Sequence, residues 1–321
     1  MTNKGIGGYF ELELSDRGGF LHDDGVLLNS GRNALEYALR VLGDVKSLLV
    51  PYYTCDVVME PIEKLGVPYT FYSINPKLEI EDLPSLKNGE YLIYTNYFGI
   101  KDEYVRKLAG DYGCQLIVDN AQAWFAEPLE GVNTIYSPRK YVGIPDGGVV
   151  YCLKRMDESV LEQDLSYDRC SHLLKRIDLG SSEGYADFKA NSRQLVGQPV
   201  KRMSKLTGRM LSSIDFEEVR SIRRENFEYL HTHLKEKNLF EVPLLDSFAC
   251  PMVYPYLTED ATLRQTLIEN KVFVATYWPN VKEWTTPEML ENVLMDRLLP
   301  IPVDQRYGVG EMKEIIDIIV K

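Results

Sequence analysis

The sequence predicts an α/β fold: a mostly parallel sheet wrapped by helices, followed by a smaller α+β unit. Two observations carry this. Between residues 27 and about 153, short apolar runs rich in β-formers alternate with stretches of helical period, the order that parallel strands and crossover helices produce. Past residue 206 the order changes to one long helical stretch and then mixed strand-like and helical runs. The chain divides accordingly into residues 1–205, a large domain, and residues 206–321, a small C-terminal one.

The 321 residues suffice for two modest domains around a large core. The 45% hydrophobic and 26% charged fractions are those of a soluble globular protein. A formal net charge of −12 argues against a nucleic-acid partner, which requires a basic face. The five cysteines (Cys55, Cys114, Cys152, Cys170 and Cys250) are odd in number, scattered and without a CxxC. They predict buried free thiols in a reducing compartment and no metal site. His231 and His233, two apart on a predicted helix, point to different faces. The opening MTNKGIGGYF lacks the charged-then-apolar order of a signal peptide. No run approaches the roughly 20 apolar residues of a membrane span. The expectation is a cytoplasmic protein with no membrane partner.

Taken in order, Tyr9 to Leu14 alternates between glycine pairs and predicts a short edge strand. Residues 27–42 follow as a helix capped by Asn29 or Ser30, with Ala34, Leu35, Ala38, Leu39 and Leu42 on one face. Ser30-Gly31-Arg32-Asn33 then stands at a helix N-terminus, where free N–H groups and the dipole favour a phosphate. An ordinary capped amphipathic helix has the same pattern. Ser47–Tyr53 is a strand and Cys55–Leu65 a helix with Pro61 near its start. Val67–Ile74 and Glu90–Phe98 are strands, and Asp102–Tyr112 is a helix. From Met156 to Gln198 the pattern weakens. Phe216–Lys235 is helical, with Arg220, Arg223 and Arg224 as a solvated face. Phe240–Leu257 holds two strand-like runs, Thr262–Asn270 a helix and Val272–Trp278 a strand. Leu298–Val303 is a short apolar segment before a helix from Glu311 to Lys321.

The chemistry gathers between Leu116 and Val150. The apolar run Gln115–Val118 ends on Asp119. A second run, Val132–Tyr136, leads into Ser137-Pro138-Arg139-Lys140, and Asp146-Gly147-Gly148 leads into a third, Val149–Leu153. A carboxylate thus ends one strand and an amine lies just past another. In open α/β sheets ligands bind outside the carboxyl ends of the strands. An acid and an amine placed there suit pyridoxal phosphate (PLP). The amine forms a Schiff base with the aldehyde, and the acid keeps the pyridine nitrogen protonated so that the ring acts as an electron sink. Lys140 alone has the pattern of a surface lysine after a strand; its conjunction with Asp119, Gln122, Gly147 and the Ser30 helix points to chemistry.

Asp119-Asn120-Ala121-Gln122, then Ser137 and Lys140, then Asp146-Gly147-Gly148 resemble the sugar aminotransferases of the DegT/DnrJ/EryC1/StrS family, which are fold-type I PLP-dependent transferases. The resemblance covers nearly the whole chain, and its specific motifs lie between 119 and 148. It implies that Lys140 carries the cofactor and then shuttles a proton, which requires it to be neutral, as burial would favour. It implies that Asp119 pairs with the ring nitrogen and Gln122 bonds the phenolic oxygen. Backbone amides of Gly31, Arg32 and Asn33 hold the phosphate, with Ser137 beside them. Tyr53, or else Tyr52, stacks on the ring, and Asn96 bonds near it. The activity implied is transfer of an amino group, typically from glutamate, to a nucleotide-linked keto-sugar in surface-polysaccharide or amino-sugar biosynthesis. The site is then shared between two subunits of a homodimer. A PLP-binding homologue without transaminase activity, or another PLP chemistry, is the alternative. The chain departs from the family's pattern in three places. Arg32 and Asn33 stand where Thr or Ala is usual, Val200 where an Asn precedes Arg202-Met203-Ser204, and Ser137 lies three residues before Lys140, not five.

Overall fold

The computed structural model describes residues 6–246 and 248–321. Its centre is a seven-stranded sheet of β1 (Val26–Leu28), β2 (Ser47–Pro51), β3 (Tyr69–Tyr72), β4 (Glu90–Thr95), β5 (Leu116–Asn120), β6 (Asn133–Tyr136) and β7 (Gly148–Tyr151). The spatial order is β1-β7-β6-β5-β4-β2-β3. The run from β3 to β6 is parallel; β7 is antiparallel to β6, and β1 to β7. The fold class is therefore the predicted one. β5 and β6 are buried along their whole length, as expected of central strands covered on both faces.

The period-2 alternation of β5 divides the core. Ile117 joins Leu48, Ile93, Ile135 and Val150 under α1 (Gly31–Leu42) and α2 (Met59–Lys64). Leu116 and Val118 point the other way, with Leu92, Tyr94 and Tyr136, beneath α3 (Asp102–Tyr112). α1 begins where predicted because the Ser30 hydroxyl accepts the Asn33 N–H at 3.2 Å. It ends at Gly43, whose φ of 80° is open to glycine at little cost.

Two helices lie in the stretch without a readable pattern, α4 (Ser171–Leu179) and α5 (Tyr185–Gln194). They are followed by α6 (Lys205–Ser212) and α7 (Phe216–Leu234). The C-terminal part adds β8 (Val253–Leu257), α8 (Leu263–Glu269), α9 (Val281–Trp284), α10 (Leu290–Arg297), β9 (Leu298–Pro302) and α11 (Val309–Ile319). β8 and β9 form a two-stranded antiparallel sheet, with Tyr254 opposite Ile301. Its apolar side chains share one continuous core with Leu92 and Val118 of the large sheet.

Three expectations are corrected. Tyr9 to Leu14 is not a strand: no described strand pairs with it, and Tyr9 and Phe10 stand almost wholly exposed. Val272–Trp278 is not a strand either; its first N–H closes a turn onto Leu267 instead of entering a ladder. The arginines of α7 are not a solvated face. Arg223 is 2% exposed, donates to the carbonyls of Met252 and Tyr141 at 3.1 and 3.0 Å, and lies 4.6 Å over the Tyr141 ring. It ties α7 to the loop after Lys140. No helix among the described residues is long and apolar enough to cross a membrane.

Candidate active site

The parallel strands end at one edge of the sheet, and antiparallel β7 begins there. Three structures therefore meet at this edge: the end of β5 with Asp119, the turn after β6 with Lys140, and the Gly147-Gly148 start of β7. The N-terminus of α1 is pinned to them, since Gly147 N–H donates to the Asn29 carbonyl at 3.0 Å. Backbone approaches backbone so closely that a Cβ on Gly148 would stand 2.2 Å from the Ser30 carbonyl oxygen. The glycine is required for that contact.

A cavity of about 230 Å³ opens at this junction, walled by Gly31, Arg32, Cys55, Asp119, Ser137, Arg139, Lys140 and Phe188 among others. Pro138–Lys140 is a 3-10 turn. Such a turn has three residues per revolution, so residues three apart eclipse. The short Ser137–Lys140 spacing thus sets the hydroxyl and the amine on the same side, and both line the cavity. Lys140 is exposed, not buried as its proposed chemistry led one to expect, because it stands at the mouth. Gly31 matters here too: a Cβ there would lie 3.2 Å from the Ser137 Cβ, narrowing the gap between turn and helix.

Asp119 is buried, and its Oδ1 accepts the Ala121 N–H at 2.9 Å. Burial raises its pKa; the charge of Lys140 and the Ala121 N–H pull it partway back. A carboxyl whose native pKa lies above its unfolded value of about 3.9 makes unfolding easier as pH rises through that window. Asp119 therefore costs the ligand-free protein stability at neutral pH. Asp119→Asn keeps an oxygen for Ala121 and removes the charge. Ligand-free Asp119→Asn is expected to melt at a higher temperature than wild type at pH 7, the difference vanishing below about pH 3.9. Calorimetry across pH checks this, and a lower melting temperature at pH 7 would contradict it.

Other residues singled out in the sequence lie elsewhere. Tyr53 is fully buried and packs 5.6 Å from Tyr97 and 5.1 Å from Trp278, so its ring faces core and not cavity. Tyr52 stacks on Phe71. Asn96 is buried and spent on structure: its amide nitrogen donates to Asp102 at 2.6 Å and Asn120 at 3.0 Å, and its oxygen accepts the Lys101 N–H. The Asn33 N–H is taken by the Ser30 cap, which leaves Gly31 and Arg32 as the open amides of α1. Gln122 is buried and does not line the cavity, though its neighbour Ala121 does. The Gln122 oxygen accepts the Phe98 N–H at 3.0 Å, and its Nε2 has no acceptor. Arg32 lines the cavity with its Nε 3.0 Å from Glu60.

Sequence reasoning missed Cys55 and Phe188. Cys55 takes the place in the wall that an aromatic after β2 was expected to fill; burial pushes its thiol up to about 11. Only its position in the same loop as Tyr53 signals it. Phe188 comes from α5, where no sequence pattern exists to find it. A larger hollow of about 360 Å³ surrounds Lys101, Asp102 and Asp246. It holds neither Asp119 nor Lys140, so the smaller cavity is the candidate site.

Fold comparison bears on this arrangement. The sugar aminotransferase CalS13 from Micromonospora echinospora superposes with a TM-score of 0.63 at 16% identity, over 92% of this chain and 86% of that one. A DegT DnrJ EryC1 StrS aminotransferase from Brucella abortus does so at 0.58 and 15%, over 92% and 84%. The fold is that of the sugar aminotransferases. NtdA from Bacillus subtilis, with bound cofactor PMP, shares this aminotransferase fold at 0.58 and 13%, over 92% and 73%. No protein-family model matches the sequence, and no curated protein does.

Proposed function

We propose that the chain is a PLP-dependent aminotransferase that transfers an amino group, from glutamate as donor, to a nucleotide-linked keto-sugar. The carrying observation is the convergence of Asp119, Lys140, Ser137 and the open α1 N-terminus on one cavity. The aminotransferase fold of the neighbours supports it.

The residues present fit the cofactor. Gly31 and Arg32 offer two amides at a helix N-terminus, and the absent side chain of Gly31 leaves space beside Ser137 for a phosphate. Asp119 offers the ring nitrogen a buried carboxylate. Gln122 Nε2 is a buried donor without an acceptor, one residue from the cavity-lining Ala121, and would suit the phenolic oxygen. Cys55 lines the cavity where Tyr53 does not, and would flank the ring in this reading. When bound, PLP supplies an electron sink that makes a proton on the substrate's amino-bearing carbon removable.

The protein's part is positional and acid–base. Asp119, as a carboxylate, would pair with the ring nitrogen and keep a proton on it. Lys140 Nζ would hold the cofactor by its aldehyde and, once freed, would take up and return the proton of the substrate's amino-bearing carbon. Its place at the cavity mouth lets Nζ reach a substrate entering from solvent. Leu174 and Ile177 of α4 are exposed, as is Tyr185 of α5, whose ring stacks 6.4 Å from Phe188 of the cavity wall, and in this reading a second subunit covers them, making a homodimer.

The visible spectrum tests the reading. Protein loaded with PLP is expected to be yellow and to bleach on addition of glutamate. Loaded protein that stays yellow would favour a PLP-binding homologue without transaminase activity; a protein that takes up no cofactor would sink the enzyme reading.

A further inference from the structure

Arg139 is a buried-side guanidinium with no anion. It lines the cavity, stacks 5.6 Å over the Phe188 ring, and has one weak bond, to the Ser192 hydroxyl at 3.4 Å. Both contacts come from α5, so the helix holds the flat group by face and edge. Among the described residues it forms no ion pair. A guanidinium has five N–H donors in a rigid fork, and four are unaccounted for.

Its surroundings sharpen the point. Arg32 lies on the same cavity and repels it; Arg169 repels it as well, while Asp146 is the carboxylate that attracts it. Burial with these cations brings its pKa down to about 10. Arg32, Arg139 and Lys140 face Asp119 as the one carboxylate in the wall, and the amides of Gly31 and Arg32 add partial positive charge. Glu60, outside the wall, pairs with Arg32 at 3.0 Å, so the excess over Asp119 and Glu60 is one formal charge. Arg32 has Glu60 as its counterion, whereas Arg139 forms no ion pair among the described residues. The arrangement suits a dianion that two guanidiniums grip, since the fork matches two phosphate oxygens.

We propose that Arg139, paired with Arg32, is a phosphate-binding residue that carries the charge of a phosphomonoester within a single chain and makes the cavity discriminate phosphorylated from unphosphorylated ligands. This rests on the proposed cofactor reading and deepens it. The contracted Ser137–Lys140 turn is then functional: the 3-10 geometry that aligns Ser137 with Lys140 also turns Arg139 into the wall between them and α5.

The test compares two ligands that differ by the phosphate alone. Wild type, Arg139→Met and Arg139→Lys are titrated with pyridoxal phosphate and with pyridoxal, following the visible absorbance of the bound aldehyde. The Arg139→Met affinity for pyridoxal phosphate is expected to fall roughly 10- to 100-fold, the range for a hydrogen bond to a charged group. Its affinity for pyridoxal is expected to stay unchanged, and Arg139→Lys to fall between. Inorganic phosphate should raise the melting temperature of wild type more than that of either variant, a readout that needs no cofactor. Equal loss for both ligands would overturn the proposal by making Arg139 merely structural. Unchanged binding of pyridoxal phosphate by Arg139→Met would overturn it alone. Wild type that binds neither aldehyde would overturn the cofactor reading itself.

Discussion

Lys140→Ala is expected to fold like wild type yet lose transamination by a factor of at least about 10² to 10⁴, the usual contribution of a positioned proton-transfer group. Two observations separate the effects. Lys140 is exposed, and its backbone N–H closes the turn onto Ser137 at 3.3 Å, a bond that alanine keeps. It forms no ion pair among the described residues, so the stability change should stay within about ±0.5 kcal/mol. It is also the one lysine in the cavity wall, so no neighbouring amine can replace it. Single-turnover bleaching by glutamate measures the loss directly. A variant that still bleaches at the wild-type rate would assign the proton transfer elsewhere.

Asp146→Ala is expected to cost about 3 kcal/mol of folding stability, the lower end of the range for breaking a buried ion pair. Asp146 is fully buried. One oxygen accepts from the Thr207 hydroxyl of α6, and the other accepts from Arg169 Nη2. Arg169 is itself buried and reaches Asp164 as well, which is why the loss should not be larger. Alanine leaves Arg169 one carboxylate short and the Thr207 hydroxyl without its acceptor. The damage lies one residue from the Gly147-Gly148 approach to α1, so pyridoxal phosphate affinity should fall too. Urea unfolding of Asp146→Ala beside Asp146→Asn checks this; the amide keeps the Thr207 bond and should lose less. A cost below about 1 kcal/mol would mean that Asp164 alone satisfies Arg169.

These two residues show how unevenly the site was legible. Asp119, Ser137 and Lys140 were found because each lies at the end of an apolar β-run, and strand ends share an edge in a parallel sheet. Gly31 was found because a cap and a helical period mark where α1 begins. The side chains that depend on distant packing were not. Tyr53 has the position expected of a ring-stacking aromatic, but Tyr97 and Trp278 draw it into the core. Asn96 is bound by Asp102 and Asn120. Arg223 has the spacing of a solvated charge, yet carbonyls from two other segments satisfy it in the interior. Arg139 has no local signal of burial; α5, itself absent from the periodicity, supplies its cover.

The sequence by itself determined the strand and helix order from α1 to β7, the capped α1, and the placing of an acid and an amine at one sheet edge, but not β1. These follow from local periodicity, capping chemistry and the geometry of parallel sheets, which neighbouring residues encode. Only the tertiary structure decided that Asp146 is a clamp, that Cys55 and not Tyr53 walls the cavity, and that Arg139 faces it without an anion. Each of those outcomes depends on groups from remote segments competing for the same space or the same hydrogen bond, and no local pattern records who wins.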